Sequence, residues 1–371
     1  MKKMNDINKL FFELIQVAIG TRICLSHTPS ADEWGELYAM AKKQSLVGVC
    51  FAGVQRLQTQ RQEPPEMLYL TWMGMAAKIQ QRNEYLNKQC ISLCINLNSV
   101  GIKSSILKGQ GVASLYGSLS LLRQSGDIDV YVDGGRDAVH KVANLYNLDI
   151  PHWFYKDIGL SIFNDIEVEC HYLPGVLFNP FINRIWLDWC RKHKFDIFEK
   201  KVILGQNGFI STPNTTFNLV YILLHIYRHL FDSGIGLRQL MDYFFVLEDL
   251  SASAQNEEIK KQVFCILKEL RLIRFASGIM WIMKSVFSIE DKSLLCVADV
   301  AEGKFLLQQI IKQGNFGQSV RASGNDKLNV MFHVINNNWL FLRHYPAETI
   351  STPFYYICHF LISRINNLIR I

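Results

Sequence analysis

The sequence predicts an α+β protein in which a small mixed sheet lies between N-terminal and C-terminal helical regions. Residues 1–100 and 211–371 carry apolar side chains mainly at helical spacing, whereas residues 101–210 contain short alternating runs separated by turns. We take these limits as the predicted domain boundaries. With 371 residues, of which 49% are hydrophobic and 19% charged, the chain is long enough to bury a substantial core.

The N-terminal region begins with helices whose limits the sequence marks. Ser30, followed three residues later by Glu33, fits a capping box at the start of a helix. A long helix is expected from Glu66 to about Val100. Cys90 and Cys94 lie one turn apart in it. A metal site could use that spacing, but buried cysteines that act as small hydrophobic residues are the commoner case.

The predicted sheet contains an acidic strand. Alternation puts Asp127 and Asp129 on one face and Ile128 and Val130 on the other. Carboxylates two residues apart on a strand lie about 6.5 Å apart, so both can converge on a cation that prefers oxygen ligands. Burying such carboxylates unpaired in a core would be costly. The pattern therefore favours a divalent-metal site.

A second acidic strand follows a predicted two-residue hairpin turn at Asn164-Asp165. Glu167, Glu169 and His171 share one face of this strand. Either glutamate could add a third carboxylate to the predicted metal site. The alternative is an exposed strand face that carries ordinary surface acids.

Two polar segments precede the first acidic strand. The first is a turn formed by Lys108, Gly109, Gln110 and Gly111. Glycine lets the backbone approach a phosphate, and the amides at the start of the following helix favour an anion. Lys108 could itself contact that phosphate, or it could be a solvated lysine at a strand end. The second segment carries Arg123 and Ser125, and a guanidinium fork suits a phosphate, although a loop arginine is often only a surface charge.

The order of these motifs resembles the polymerase-β-like nucleotidyltransferase superfamily. The text Leu-Lys-Gly at 107–109, Leu-Tyr-Gly at 115–117 and Arg-Gln-Ser-Gly-Asp-Ile-Asp-Val-Tyr-Val at 123–132 is similar to one bacterial branch. That branch is the uncharacterised nucleotidyltransferase family with an LKG…R…GDIDLLV signature. Its third element resembles Glu-x-His followed by an aromatic residue, which matches residues 169–172 and makes Glu169 the preferred third acid. The chain departs from the superfamily at residues 108–111, where Gly-Ser or Gly-Gly is usual.

The resemblance implies a sheet of nucleotidyltransferase type and a defined activity. A nucleoside monophosphate would be transferred from a nucleoside triphosphate to a hydroxyl-type acceptor, small or macromolecular, with Mg²⁺ or alternatively Mn²⁺. Asp127, Asp129 and Glu169 would hold the metal. The residues that would bind the nucleotide are Lys108, Gly109, Gln110, Gly111, Arg123 and Ser125.

Two other functions stay open. One is a non-catalytic module that keeps the fold to bind a ligand or partner, in a toxin–antitoxin or surface-polysaccharide context. The other is an RNA-modifying transferase. The net charge of +6 is modest and the basic residues are scattered, so the sequence carries no strong nucleic-acid signal.

A group of polar residues lies in the predicted C-terminal helices. His225 and His229 lie one turn apart, but Ile226 stands where a zinc-protease motif needs glutamate. Arg238 and Asp242 are likewise one turn apart. Either these four residues tie the helices together, which we favour, or they line an acceptor pocket. Asp242 is the better candidate if the acceptor hydroxyl needs a base.

Further helices are predicted at Glu257–Val286 and Ser293–Lys312, with a loop at Gly314–Asp326. The run Pro353–Ile371 is mostly apolar, then amphipathic. Such a helix could lie on a membrane surface, although packing on the core or on a second copy is commoner.

The remaining sequence features favour the cytoplasm. Nine cysteines, an odd number without repeated spacing, indicate free thiols in a reducing compartment. The sequence contains no run of about 18 apolar residues, so no transmembrane helix is predicted. The apolar stretch at 10–18 is interrupted by Glu13 and Gln16, which indicates an amphipathic helix rather than a signal peptide.

Overall fold

The computed structural model describes residues 2–150, 156–205, 208–231, 234–314 and 339–369. The N-terminal region folds into helices α1 (Lys2–Ile19), α2 (Ala31–Lys43), α3 (Val47–Leu57) and α4 (Glu66–Ser99). The predicted capping box is confirmed, because the Glu33 amide donates to the Ser30 hydroxyl and the Ser30 amide donates to the Glu33 carboxylate. The long helix predicted from Glu66 is confirmed as α4.

A four-stranded mixed sheet follows, as the sequence predicts. Its strands are β1 (Ser104–Ile106), β2 (Ile128–Val132), β3 (Asp157–Phe163) and β4 (Ile166–His171), in the order β1-β2-β4-β3. β2 and β4 are parallel, whereas β1 pairs antiparallel with β2 and β3 with β4. The hairpin predicted at Asn164-Asp165 joins β3 to β4.

Short helices and a second hairpin surround this sheet. Between β1 and β2 lie α5 (Gln110–Ala113) and a 3₁₀ segment (Ser114–Leu122), and α6 (Gly135–Leu145) follows β2. After β4 come α7 (Pro180–Lys192) and the antiparallel hairpin β5 (Lys200–Leu204) and β6 (Gly208–Thr212).

The C-terminal region is helical again. It contains α8 (Thr215–Phe231), α9 (Leu237–Ser251), α10 (Asn256–Glu269), α11 (Ile273–Phe287), α12 (Val300–Gln313) and α13 (Pro346–Ile369). The single helix predicted at Glu257–Val286 is wrong: it divides into α10 and α11 at a turn where Arg271 has a left-handed φ of 57°.

Two other helices begin at residues different from those predicted. α12 begins at Val300 rather than Ser293, because the Asp299 carboxylate caps it by accepting the Glu302 amide. α13 begins at Pro346 and runs through Pro353. The loop predicted at 314–326 lies outside the described residues beyond Gly314.

The sheet lies between two hydrophobic cores. Ile128, Val130 and Val132 of β2 pack with residues of α4 and α6 in the smaller core. Tyr131, on the opposite face, joins a larger core that contains helices from both ends of the chain. Within it, the Gln16 amide of α1 donates to the Val286 carbonyl of α11 over 3.1 Å. The helices before and after the sheet therefore share one core.

No described helix combines the length and the apolar composition needed to cross a bilayer.

Candidate active site

The two acidic strands meet in register at the centre of the sheet. The parallel pairing of β2 with β4 puts Asp129 opposite Glu169. His171 follows on the same face of β4, with Nε2 3.0 Å from Asp129 Oδ1 and 3.4 Å from Glu169 Oε2. Each of the three offers one ligand atom, and these atoms lie within 4.8 Å of one another. The strand alternation thus brings two carboxylates and one imidazole to one point.

Lys108 brings a positive charge to the same point. The Leu107 amide donates to the Asp129 carbonyl over 3.0 Å, which fixes the end of β1 beside β2. Lys108 Nζ then lies 2.8 Å from Asp129 Oδ1. Burial favours the neutral acid, but Lys108 and His171 outweigh it and hold the pKa of Asp129 well below its usual value. Asp129 is therefore an ionised carboxylate with two cationic or proton-donating neighbours.

Asp127 lies at the edge of this group. It immediately precedes β2 and is partly exposed, and it is not one of the three residues whose ligand atoms converge. The negative charge of Asp129, together with burial, raises the pKa of Asp127. A second lysine lies next to Glu169: Lys156 Nζ is 3.8 Å from Glu169 Oε2 and also contacts the carboxylate of Asp157.

The residues of the glycine turn between β1 and α5 have two different structural roles. Gly109 has φ 52° and ψ −115°, a conformation that L residues rarely adopt, and a Cβ there would lie 3.6 Å from the Asp127 carbonyl. A Cβ on Gly111 would come within 2.7 Å of the Ile106 carbonyl, and the Gln110 amide donates to Asn87 of α4. Gly109 thus shapes the turn beside the acids, whereas Gln110 and Gly111 make packing contacts.

A comparison with protein families gives the context of this arrangement. The model of the family described as uncharacterised nucleotidyltransferase matches residues 30–288, more than half of the chain. The chain belongs to this family. No curated protein and no solved structure matches it. The matched range contains the converging residues and helices from both sides of the sheet.

In this nucleotidyltransferase-family chain, Arg123 is paired with Asp242 of α9. Arg123 Nε and Nη2 donate to the two carboxylate oxygens of Asp242, each over 2.7 Å, and Nη1 donates to the Ser125 hydroxyl over 2.7 Å. The Tyr116 hydroxyl also donates to Asp242, over 2.6 Å. Both Arg123 and Asp242 are buried. The pairing ties the loop before β2 to the C-terminal helices.

Helix α8 brings His225 and His229 toward the acidic face of the sheet. Their ring centroids are 4.2 Å apart. Burial lowers the pKa of both imidazoles well below the usual value, and the charge of Lys108 lowers it further. Two neutral imidazoles therefore stand near Lys108. Arg238 differs from them, because its Nη1 donates to the Gln124 carbonyl over 2.7 Å and so supports the loop.

A polar pocket of about 360 Å³ opens beside Asp127. Its volume falls within the range of small-molecule sites. It is lined by Ser45, Gln124, Ser125, Gly126, Asp127, Glu167 and Arg238. A larger surface groove of about 700 Å³ lies between α10 and the segment 291–298, and none of the predicted site residues lines it.

Sequence reasoning gave no site role to His171, Lys156, Asp157 or Ser45. His171 was on the predicted acidic face, and its shared face with Glu169 was the signal that could have found it. Asp157 pairs with His171 through a β3–β4 register that shifts between Leu160 and Phe163, and Lys156 precedes it, so the sequence carried no signal for either residue. Ser45 reaches the pocket from the turn before α3 through tertiary packing.

Proposed function

We propose that this chain is a divalent-metal-dependent nucleotidyltransferase that moves a nucleoside monophosphate from a nucleoside triphosphate to a hydroxyl-type acceptor. Membership of the family supports transfer of a nucleotidyl group. The observation that carries the proposal is the convergence of Asp129, Glu169 and His171 on one point of the sheet.

The side chains at this point fit a divalent cation. Carboxylate oxygens and an imidazole nitrogen are the donors that such ions take in proteins. Asp129 and Glu169 would hold the ion, with Asp127 beside them in the lining of the pocket. The family resemblance implies Mg²⁺, with Mn²⁺ as the alternative. When bound, the ion stabilises charge on the phosphoryl oxygens and lowers the pKa of the attacking hydroxyl.

The transfer forms one bond and breaks another at the α-phosphorus. The acceptor oxygen bonds to that phosphorus, and the bond to the bridging oxygen breaks. Pyrophosphate then leaves with the electron pair, and the hydroxyl proton passes to a base. In this proposal Lys108 and the turn at Gly109 would bind the triphosphate, and the pocket beside Asp127 would hold part of a substrate.

Arg123 and Asp242 take a different part in this proposal. The guanidinium fork of Arg123 and both oxygens of Asp242 are engaged with each other, which supports a positioning role for the pair. The pair would hold Ser125 and the loop before β2 at the edge of the pocket. A direct phosphate contact by Arg123 and a base function for Asp242 stay predictions.

One observation favours a second candidate, a non-catalytic binding module. The ammonium of Lys108 already compensates the charge of Asp129, so the acids can be satisfied without a metal. In this case the pocket beside Asp127 would bind a ligand or partner without transfer.

The cysteines support the cytoplasm as the compartment. The eight cysteines whose side chains the structure describes are free thiols.

Pyrophosphate release separates the two candidates. We would incubate the purified chain with each of the four ribonucleoside triphosphates, Mg²⁺ or Mn²⁺, and a panel of hydroxyl acceptors. The enzyme should release pyrophosphate, and Asp129→Asn should reduce the rate at least about a hundredfold. Equal rates for the two proteins would contradict the proposal. Tight triphosphate binding without pyrophosphate release would favour the binding module.

A further inference from the structure

His171 has an environment that a surface histidine or a simple packing residue does not have. Only 1% of the residue is exposed, although it carries two polar nitrogens. Nε2 faces the carboxylates of Asp129 and Glu169, at 3.0 and 3.4 Å. The buried Nδ1 has no hydrogen-bond partner among the described residues, and Asp157 Oδ2 lies 3.8 Å from it.

This arrangement follows from the register of three strands. β4 pairs with β2 on one side and with β3 on the other. His171 lies opposite Asp157 of β3, and Glu169 lies opposite Asp129 of β2. One imidazole is thereby placed between a carboxylate behind it and two carboxylates in front of it.

Histidines that bind metals have comparable neighbours, although Asp157 Oδ2 at 3.8 Å is beyond hydrogen-bond distance of Nδ1. One ring nitrogen binds the metal, while the other ring N–H points to a carboxylate, carbonyl or water that fixes the tautomer and the ring orientation. We infer that His171 is a metal ligand oriented by Asp157, and that the site takes a first-row transition ion such as Mn²⁺ in preference to Mg²⁺. The inference rests on the proposed function for the presence of a divalent ion.

The donor set gives the reason for the preference. Mg²⁺ takes oxygen ligands almost entirely and gives up its water reluctantly. An imidazole nitrogen suits transition ions better, so exchanging one oxygen ligand for nitrogen moves selectivity away from Mg²⁺. Asp129 and Glu169 supply the anionic oxygens that Mn²⁺ also accepts.

The inference also gives a role to the carboxylate of Asp157, which the transfer reaction itself does not need. Its carboxylate contacts Lys156 and lies behind the ring of His171, away from the carboxylate of Asp129. In this inference Asp157 is a positioning residue, because it acts on the metal only through the imidazole.

Electron spin echo spectroscopy of Mn²⁺ added to the full-length chain, without nucleotide, tests the inference directly. A bound ¹⁴N ligand gives a modulation that oxygen ligands do not. We expect this modulation in the native chain and its loss in His171→Gln, whereas the exposed His140→Gln on α6 should keep it. Asp157→Asn should keep the modulation and weaken Mn²⁺ binding about 10- to 100-fold.

Competition between Mn²⁺ and Mg²⁺ provides the second readout. Mn²⁺ often binds carboxylate sites somewhat better than Mg²⁺, so the decisive quantity is the change in the affinity ratio. His171→Asp, which restores an all-oxygen site, should lower the preference for Mn²⁺ by about tenfold. Thermal melting of each variant confirms that it is folded.

The outcomes separate this inference from the proposed function. Mn²⁺ that binds without ¹⁴N modulation, or no Mn²⁺ binding at all, overturns the inference. Mg²⁺-dependent pyrophosphate release that His171→Gln retains, with an unchanged affinity ratio, overturns the inference and leaves the function intact. A nitrogen-ligated Mn²⁺ in a chain that releases no pyrophosphate would support the inference and contradict the proposed function.

Discussion

Arg123 and Asp242 are 119 residues apart in the sequence, yet two guanidinium nitrogens of Arg123 donate to the two carboxylate oxygens of Asp242. This pair joins the loop before β2 to helix α9. The acids of the sheet and the pocket beside them therefore depend on a contact between two distant parts of the chain.

Removing the charge of Asp242 should destabilise the protein strongly. Asp242→Asn leaves Arg123 buried without its carboxylate, and breaking a buried pair from one side costs about 3–5 kcal/mol. Denaturant unfolding monitored by circular dichroism measures this loss. The exposed pair of Lys292 and Glu290 provides the matched control, because Glu290→Gln should leave the unfolding midpoint unchanged. A loss no larger than that of the control would show that the Arg123 pair does not hold the loop.

Gly109 should not tolerate a side chain. Its φ of 52° with ψ −115° is accessible to glycine, and Gly109→Ala should cost about 1–3 kcal/mol in the free energy of unfolding. Gly74 should give the opposite result in the same assay. It lies on the exposed face of α4 with open space around its Cα, so Gly74→Ala should stabilise the protein by about 0.5–1 kcal/mol. Similar effects of the two substitutions would contradict the turn geometry.

Lys108 should compete with a metal ion for Asp129. Because its ammonium lies 2.8 Å from Asp129 Oδ1, removing it should raise the affinity for Mn²⁺ roughly tenfold in the absence of nucleotide. Titration of the free Mn²⁺ signal by electron paramagnetic resonance measures the affinity of Lys108→Met. The exposed Lys141→Met on α6 is the control and should bind Mn²⁺ like the native chain. An unchanged affinity in Lys108→Met would mean that the metal binds away from Asp129.

The ionised carboxylate of Asp127 should lower the stability of the folded protein at neutral pH. Its pKa in the folded protein is raised above the ordinary value of 3.8, chiefly by Asp129, so the folded state favours the protonated acid. The contribution of Asp127 to stability is therefore fully present below the ordinary value and is lost as the pH rises through the raised pKa. Asp127→Asn should unfold at a higher temperature than the native chain at pH 7, and the difference should shrink as the pH falls toward 4.

Thermal melting between pH 4 and pH 8 measures this effect. The control is Asp149→Asn, at an exposed position after α6, which should show no comparable gain at pH 7. A lower melting temperature for Asp127→Asn at pH 7 would mean that the charge of Asp127 is stabilised rather than opposed by its surroundings.

The sequence could predict the local parts of the fold. The capping box at Ser30 depends on contacts within one turn, and the hairpin at Asn164-Asp165 joins adjacent strands. The α+β order also follows from local periodicity. The division between α10 and α11 could not be predicted, because Arg271 takes a left-handed φ where the sequence carries no Gly or Pro signal.

The candidate site could be predicted only as far as strand faces. Alternation puts Asp129 on one face of β2 and Glu169 on one face of β4, but their pairing depends on a parallel register that no local signal sets. The contacts of Arg123 with Asp242 and of Lys108 with Asp129 arise from tertiary packing. For this reason Arg123 was predicted as a phosphate ligand and Asp242 as a base, without any indication that they bind each other.

A crystal soaked with Mn²⁺ and a non-hydrolysable nucleoside triphosphate would be the most direct test of the proposed metal site. Anomalous scattering from Mn²⁺ locates the ion independently of the chemical assignment of the density. We predict a peak ligated by Asp129 and Glu169, with the α-phosphate of the nucleotide next to it. Mn²⁺ bound elsewhere, with ordered triphosphate and no peak between these two strands, would contradict the proposed metal site.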